Sequence, residues 1–433
     1  MTTGYGEIQS VHTKFTIKIT QVMAETVHII LLILCITASS LASNDANNIA
    51  TLSDYLRVAS LNNPELKAKF EDWRAALAQI PQAKSLDDPK FTYGYFVEQD
   101  DALNKQKFIL AQTFPWFGKI QARSDAASAK ANAAQQRYQA AKLELFYKVK
   151  NNFYEYAFLK TSIDIASENL QLIQHFEEVA RIKYRTDTAS HPDIIRAQIE
   201  LAKFQDVLKS LQELRTPMVA GLNAIINQPY DSNLPWPEKQ PVKAIEMLSR
   251  EGLINLLLEF NPQLAEINWE IEAARSEIEL AKKRFYPDMD IGVEWLQNEM
   301  PRNKDEVMLM FSVNIPLWQE NYKAGEMQAK SMLRKNQHEK NAVANNQITM
   351  AIETLYDIED SQRKIVLYGE NLLLKAQQLL NASEEAYKSG SVDFLSLIDA
   401  QRTLLEYSLE LERATSTYQQ KIAQLESIIG REL

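Results

Sequence analysis

From Lys119 to Tyr184 the chain runs for 66 residues without a proline or a glycine. Proline removes a helix donor and clashes with the preceding turn, and glycine weakens a helix by roughly 0.5–1 kcal/mol relative to alanine. A stretch of this length that avoids both is written as one helix, about 100 Å long at a rise of about 1.5 Å per residue. The return segment supplies a partner, with Ile194, Leu201, Leu208 and Leu222 at heptad spacing and Arg215 interrupting the run. Pro192 sits near its start, where a missing donor is tolerated. Further on, Leu397, Leu404, Leu411, Tyr418 and Leu425 keep a strict seven-residue repeat. A period of 3.5 makes coiled-coil seams, so the sequence predicts two long antiparallel helical hairpins. The Ala-rich stretch from Ala122 to Ala141 adds a surface that lets a neighbouring helix approach closely.

The chain is also written twice. Asn63-Pro64-Glu65-Leu66 returns as Asn261-Pro262-Gln263-Leu264 at an offset of 198, and Pro89 and Gly94 return as Pro287 and Gly292. Phe114-Pro115 returns as Ile315-Pro316 at 201, and Tyr184 and Ala197-Gln198 return as Tyr387 and Ala400-Gln401 at 203. An offset that drifts so little marks a duplication with small loop insertions. The boundaries read as a first repeat over 43–228, a connector over 229–245 and a second repeat over 246–433. Pro229, Pro235, Pro237 and Pro241 keep the connector from being a helix or a central strand.

Each repeat opens with a helix, Leu52 to about Ala83 and about Met247 to Arg284, followed by two strand-like stretches. Met289, Ile291, Val293 and Trp295 alternate with Asp290, Gly292 and Glu294, and Val307 to Ile315 repeats the pattern after a polar loop. Phe91, Tyr93, Tyr95 and Val97, then Phe108 to Phe114, are the first-half counterparts. Stretches of about 8–10 residues suit either a tilted transmembrane strand or a hairpin covering a soluble core. Aromatic residues near the strand ends (Phe91, Phe114, Trp116, Tyr95, Trp295, Trp318) favour an interfacial girdle. Four strands cannot close a barrel, for which about 8 is the practical minimum, so a barrel here needs several chains. The expected class is mainly α with a small β part.

Val27 to Ala42 carries an apolar core too short to span a membrane, ending in Ser40-Leu41-Ala42. Residues 1–42 thus read as a cleaved export signal, with Met1 and Met23 both open as starts. Leu34 before Cys35 disfavours a lipid anchor at that cysteine. The other residues exclude much. A formal charge of −10 argues against nucleic acid as a partner. One cysteine rules out an internal disulfide or a thiolate cage. The five histidines (12, 28, 175, 191 and 338) are scattered, and His338-Glu339 lacks the second histidine of a zinc-protease helix. Met308 and Met310 alternate in a strand, where packing is the simpler reading than copper. No catalytic constellation stands out, so neither an enzyme nor a cofactor or metal site is expected.

Two segments carry a resemblance: YKSGSVDFLSLIDAQRTLLEYSLEL from Tyr387 to Leu411, and YRTDTASHPDIIRAQIEL from Tyr184 to Leu201. With QTFPWFGKIQAR from Gln112 to Arg123 and the terminal LESIIGREL, the chain resembles the TolC family of outer-membrane efflux channels. Within it, the chain looks most like the outer-membrane components of heavy-metal exporters. The resemblance implies a homotrimer whose twelve strands form one barrel in the outer-membrane lipid, with the helical hairpins forming an α-barrel tunnel across the periplasm. It implies as partners a periplasmic adaptor and an inner-membrane pump of the resistance–nodulation–division type. The tips would contact the adaptor: Asp187 and Thr188 in the first half, Gly390 and Ser391 in the second. Asp187 stands where the family has glycine, and ordinary solvated loops are the plainer reading of both turns. Asp399, which aligns best with an entrance acid of the family, would line the periplasmic entrance with Asp393 and Asp193. The alternative is a carboxylate complementing a helix dipole. Tyr387 and Tyr184 would hold the entrance closed by hydrogen bonds, although Val392 occupies the place of the family's basic partner. The competing class is a periplasmic adaptor or coiled-coil protein that never enters a membrane. Adaptors usually carry one hairpin and glycine-rich β-domains, whereas this chain has two hairpins and 11 glycines.

Overall fold

The computed structural model describes residues 49–97, 104–186, 191–238, 241, 249–298 and 304–433. The predicted export signal and the tip residues Asp187 and Thr188 lie outside them. The first half contains α1 (Leu52–Asn62), α2 (Pro64–Lys84), β1 (Lys90–Tyr95), β2 (Asn104–Phe114), α3 (Lys119–Arg185) and α4 (His191–Ile226). The second contains α5 (Arg250–Phe260), α6 (Pro262–Lys283), β3 (Met289–Asn298), β4 (Glu306–Val313), α7 (Gln319–Val366), a π-helical turn (Leu367–Leu372), α8 (Leu373–Ser389) and α9 (Phe394–Ile429).

The proline- and glycine-free stretch is one helix of 67 residues. Near the strands α3 is flanked by α2 and α6, and farther along by α4 and α9. Ala126, Ala129, Ala133 and Ala134 are buried there, the close approach that the alanine run predicts. Each half therefore covers its long helix with two shorter ones placed end to end.

Those ends are spliced by asparagine. Where the sequence predicts one opening helix per half, the structure has two, broken at Asn63 and Asn261. Pro64 and Pro262 begin the second helix of each pair, since proline cannot continue the first. Asn63 Oδ1 accepts from Leu66 N at 3.0 Å, while its Nδ2 donates to the Ile225 carbonyl at the end of α4 at 2.9 Å. Asn261 accepts from Leu264 N at 2.9 Å and donates to the Ile428 carbonyl of α9 at 2.7 Å. One amide thus starts one helix and finishes another, satisfying orphan groups at both termini. The finishing turns also correspond: Asn227 (φ 57°) and Gly430 (φ 97°) are both left-handed. Only glycine fits the second, because a Cβ there would overlap the Phe260 carbonyl oxygen.

Among the described residues three large apolar cores hold the helices, with a small fourth cluster of Ile278, Ala281 and Ala329 beneath the sheet. Tyr55, Phe153, Tyr156, Leu222 and Ile226 fill the first, and Leu253, Leu257, Ile358, Leu425 and Ile429 the second. The third, near the hairpin ends, joins both halves through Phe176, Ala197, Leu380, Tyr387, Phe394 and Leu397. The heptad of α9 points inward, with Leu397, Tyr418 and Leu425 buried. Arg215, which interrupts the heptad of α4, clamps the proline-rich connector. Its Nε donates to the Tyr156 hydroxyl at 3.2 Å and Nη2 to the Leu234 carbonyl at 2.9 Å. Its guanidinium lies 4.6 Å from the Trp236 ring centroid, and that ring stacks on Tyr156.

The drift between the halves is not all in loops. Between the Pro115–Pro316 pair and the Tyr184–Tyr387 pair the offset grows from 201 to 203, within helical sequence. The second half carries a π-turn there whereas α3 runs on without one. A wider turn absorbs extra residues without breaking the rod.

The sheet is antiparallel in the order β1-β2-β3-β4. Its register lines up Phe91, Leu110, Val293 and Leu309, and beside them Tyr93, Phe108, Trp295 and Val307, on one face. The opposite face carries Thr92, Ile109, Glu294 and Met308, then Ala111, Gly292 and Met310. Among the described residues β1 and β4 each have one edge without a partner. β1 is shorter than the alternation predicts, six residues, and β4 stops at Val313 before Ile315. Asp288 anchors the sheet to the helices by accepting from Trp116 N and Lys119 Nζ, both at 2.7 Å.

Asn261→Ala removes a cap and strands the buried Ile428 carbonyl, so thermal unfolding of the detergent-extracted protein should show a loss of about 1–3 kcal/mol. Asn261→Asp, which keeps only the cap, should fall between. Gly430→Ala should lose on the order of 3 kcal/mol, from backbone strain and overlap with Phe260. A melting temperature unmoved by these changes would refute the splice.

Candidate functional site

The turn between α8 and α9 is fixed by its own sequence. Gly390 ends α8 in a left-handed conformation (φ 81°, ψ 14°), and Ser391 N returns to the Ala386 carbonyl at 2.8 Å, a Schellman-type stop. The Ser389 and Ser391 hydroxyls are 3.0 Å apart. Asp393 then opens α9, its Oδ1 accepting from Ser396 N at 3.0 Å and Ser396 Oγ at 2.6 Å. These bonds, with help from the Arg196 guanidinium, hold its carboxyl below the usual aspartate range. Asp393 is first of all a helix cap.

Asp399 lies farther along α9, with its side chain 60% exposed and 3.6 Å from Arg402 Nη1. Arg402 also reaches the buried Glu200 of α4 at 2.5 Å, tying the second hairpin to the first. Asp193, in the first turn of α4, is largely covered and stands 3.8 Å from Arg196 Nη1. The symmetry-related tyrosines have different surroundings. Tyr184 is exposed and meets His191 edge-on, with centroids 5.6 Å apart. Tyr387 is buried edge-on against Phe394, and its hydroxyl has no hydrogen-bond partner among the described residues. Burial, and then the Asp193 carboxylate, pushes that hydroxyl up to about 12.

A cation that the sequence did not single out stands at the centre. The Lys183 ammonium, in the last turn of α3, donates to the carbonyl of Tyr387 and to that of Lys388 at 3.2 Å. It lies 4.6 Å from the Tyr387 ring centroid. It thus joins the first hairpin to the C-terminus of α8, where the helix dipole and the ring face both favour positive charge. The signal available was a lysine in the final turn of a long helix, which is too common to single out. Nearby, His175 Nε2 lies 3.4 Å from Glu384 Oε1, and Gln401 donates to Asn169 across the same interface. The structure therefore gathers Lys183, Tyr387, Asp193, Arg196 and Asp393, and sets Asp399 apart with Arg402. Among the described residues no His, Cys, Asp and Glu side chains group to hold a metal ion. No described helix is long and apolar enough to cross a membrane.

The model of the outer membrane efflux protein family matches residues 56–228 and 253–431, both halves without most of the connector. The chain is 21% identical over 393 residues to the cobalt-zinc-cadmium resistance protein CzcC of Cupriavidus metallidurans, covering 88% of this chain and 90% of that one. It is 22% identical over 411 residues to the outer membrane protein TolC of Vibrio cholerae, again covering 88% and 90%. The crystal structure of the outer membrane protein VceC from Vibrio cholerae shares the fold, with a TM-score of 0.74 at 18% identity over 88% of this chain and 96% of that chain. With twin hairpins above a strand layer, matched along both halves, this chain belongs to the outer membrane efflux protein family and is the outer-membrane channel of a tripartite efflux system.

Proposed function

We propose that three copies of this chain assemble into one exit duct, gripped from the periplasm by an adaptor and fed by an inner-membrane pump of the resistance–nodulation–division type. The observation that carries the reading is the sheet. Four strands with two open edges present a continuous apolar face to the outside of the molecule, Phe91, Tyr93, Leu309 and Phe311 among its exposed members. Twelve strands from three chains remove the edges, and outer-membrane lipid covers the face. The helices support the same assembly, because Ile195, Ile199, Val207 and Leu214 leave exposed apolar surface along α4 for a neighbouring chain to cover. An adaptor that stays out of the membrane would have no use for the apolar sheet face.

In the duct, the hairpin ends are the periplasmic entrance. Asp399, exposed and only loosely paired, is the best placed of the three carboxylates to face a passing cation. Threefold symmetry would make it a ring, which attracts positive charge. Asp193 and Asp393 shape the turn. Asp187, Thr188, Gly390 and Ser391 are the adaptor contacts, and Lys183 takes the part of the basic latch that Val392 does not supply. The relative named for cobalt, zinc and cadmium resistance supports metal cations as cargo. Energy and most of the substrate choice then lie in the pump.

Planar-bilayer recording of the crosslinked, detergent-extracted protein tests the duct: trimers with small, cation-selective openings are expected, and a water-soluble monomer would overturn it. Asp399→Ala should weaken block by divalent cations, and unchanged block removes Asp399 from the pore. Lys183→Met should raise open probability, Lys183→Arg should not, and equal currents for both would deny the latch. Because hydrogen bonding lowers the Asp393 carboxyl, its cap is intact at neutral pH and is lost as pH falls through the lowered value. Limited proteolysis at the tip should therefore rise below about pH 4, and Asp393→Ala should show that cleavage already at pH 7.

A further inference from the structure

Just beneath the sheet, α2, α3, α6 and α7 lie side by side in that order. A cavity of about 570 Å³ is lined by residues from all four. Residues from every helix of the layer meet at this cavity, and the proposed duct places it in the tunnel wall. Its charge is opposite to that of the chain. Three cations line it (Arg123, Lys130 and Arg284) against one carboxylate, Glu277, whereas the chain as a whole is −10. Glu277 is used up by Lys130, at 2.5 Å. Arg123 has no carboxylate among the described residues: its Nε and Nη2 donate to the Ala83 and Ser85 carbonyls at 2.8 and 2.7 Å. Arg284, at the C-terminal end of α6, has no ion pair among the described residues. Gln79 and Gln328 add amide donors from the two outer helices of the layer. The adjoining cavity differs, because its Arg137 is held by Glu266 and Glu270, each at 2.6 Å. Uncompensated positive charge is thus concentrated in the upper cavity.

We propose that this cavity is an anion-binding station in the wall of the upper tunnel, which takes an oxyanion group (carboxylate, sulfonate or phosphate) of a solute moving toward the barrel. Guanidinium forks match planar or tetrahedral oxyanions, and amides fill the remaining acceptor sites. Three copies would place six guanidinium groups in one collar, downstream of an acidic entrance. This placement in the conducting path rests on the duct proposed above; the binding site itself does not.

The probe is 8-hydroxypyrene-1,3,6-trisulfonate, followed by fluorescence anisotropy with the detergent-extracted full chain at low salt. Saturable binding is expected, weakened about tenfold or more in Arg284→Gln, reduced by 0.5 M salt and unchanged in Lys209→Gln, a cation exposed on α4 away from the cavity. Arg284→Gln is the deciding variant because Arg123 also caps α2, and a melting curve confirms that the variant is folded. No saturable binding by the unaltered chain, or equal binding by Arg284→Gln, overturns the site. Reversal potential across a potassium chloride gradient is the second readout, and Arg284→Gln should move it toward cation selectivity. Loss of probe binding with an unmoved reversal potential upholds the site and overturns its place in the conducting path.

Discussion

A helix of 67 residues cannot be stabilised by a core at one point along it. Most helical stability in water comes from burying an apolar stripe, so a rod needs partners at every turn. The chain meets this by laying shorter helices end to end along α3, and the joints decide whether that cover is continuous. Two helix ends facing one another leave carbonyls and amides without partners. Asn63 and Asn261 satisfy both sides at once, and the proline that follows each sets the first turn of the new helix. The left-handed stops at Asn227 and Gly430 complete the same joints from the other side.

Ion pairs add register to the apolar packing that joins the two halves. Lys150 meets Glu426 at 2.6 Å with both side chains largely buried, and Arg413 meets Glu155 at 2.7 Å while lying over the Phe158 ring. Both pairs cross from α3 to α9. A buried pair contributes little net stability but tolerates no slippage, since a shift of one turn leaves a charge alone in a dry place. An apolar seam of similar size would slide more readily. Lys183 continues this pattern toward the hairpin ends, where it donates to two backbone carbonyls of α8 and lies over the Tyr387 ring.

Much of the site was hidden because its members are ordinary residues far apart in the chain. Asp399 and Gly390 stood out in a segment with a distinctive turn. Lys183, 204 residues from Tyr387, had no local mark. The cap role of Asp393 was open to inspection, since a serine follows three positions on, yet a carboxylate near a turn serves a cap and a pore equally well until its hydrogen bonds are seen. Arg215 read as a flaw in a heptad because its true partners, Leu234 and Trp236, lie in a connector with no periodicity to place them.

What the sequence determined by itself was whatever local chemistry dictates: rods where proline and glycine are absent, strands where apolar and polar residues alternate, and breaks at Asn-Pro. Repetition of those marks at an offset of 198 to 203 gave two equivalent halves. Tertiary structure decided what depends on residues meeting across that distance. It showed the asparagine splices, the cation under Tyr387, the difference between Tyr184 and Tyr387, and the unneutralised arginines of the upper cavity. The reason is physical. A propensity acts within one turn or one strand, whereas an ion pair or a shared cavity exists only after two rods have been set side by side in a particular register.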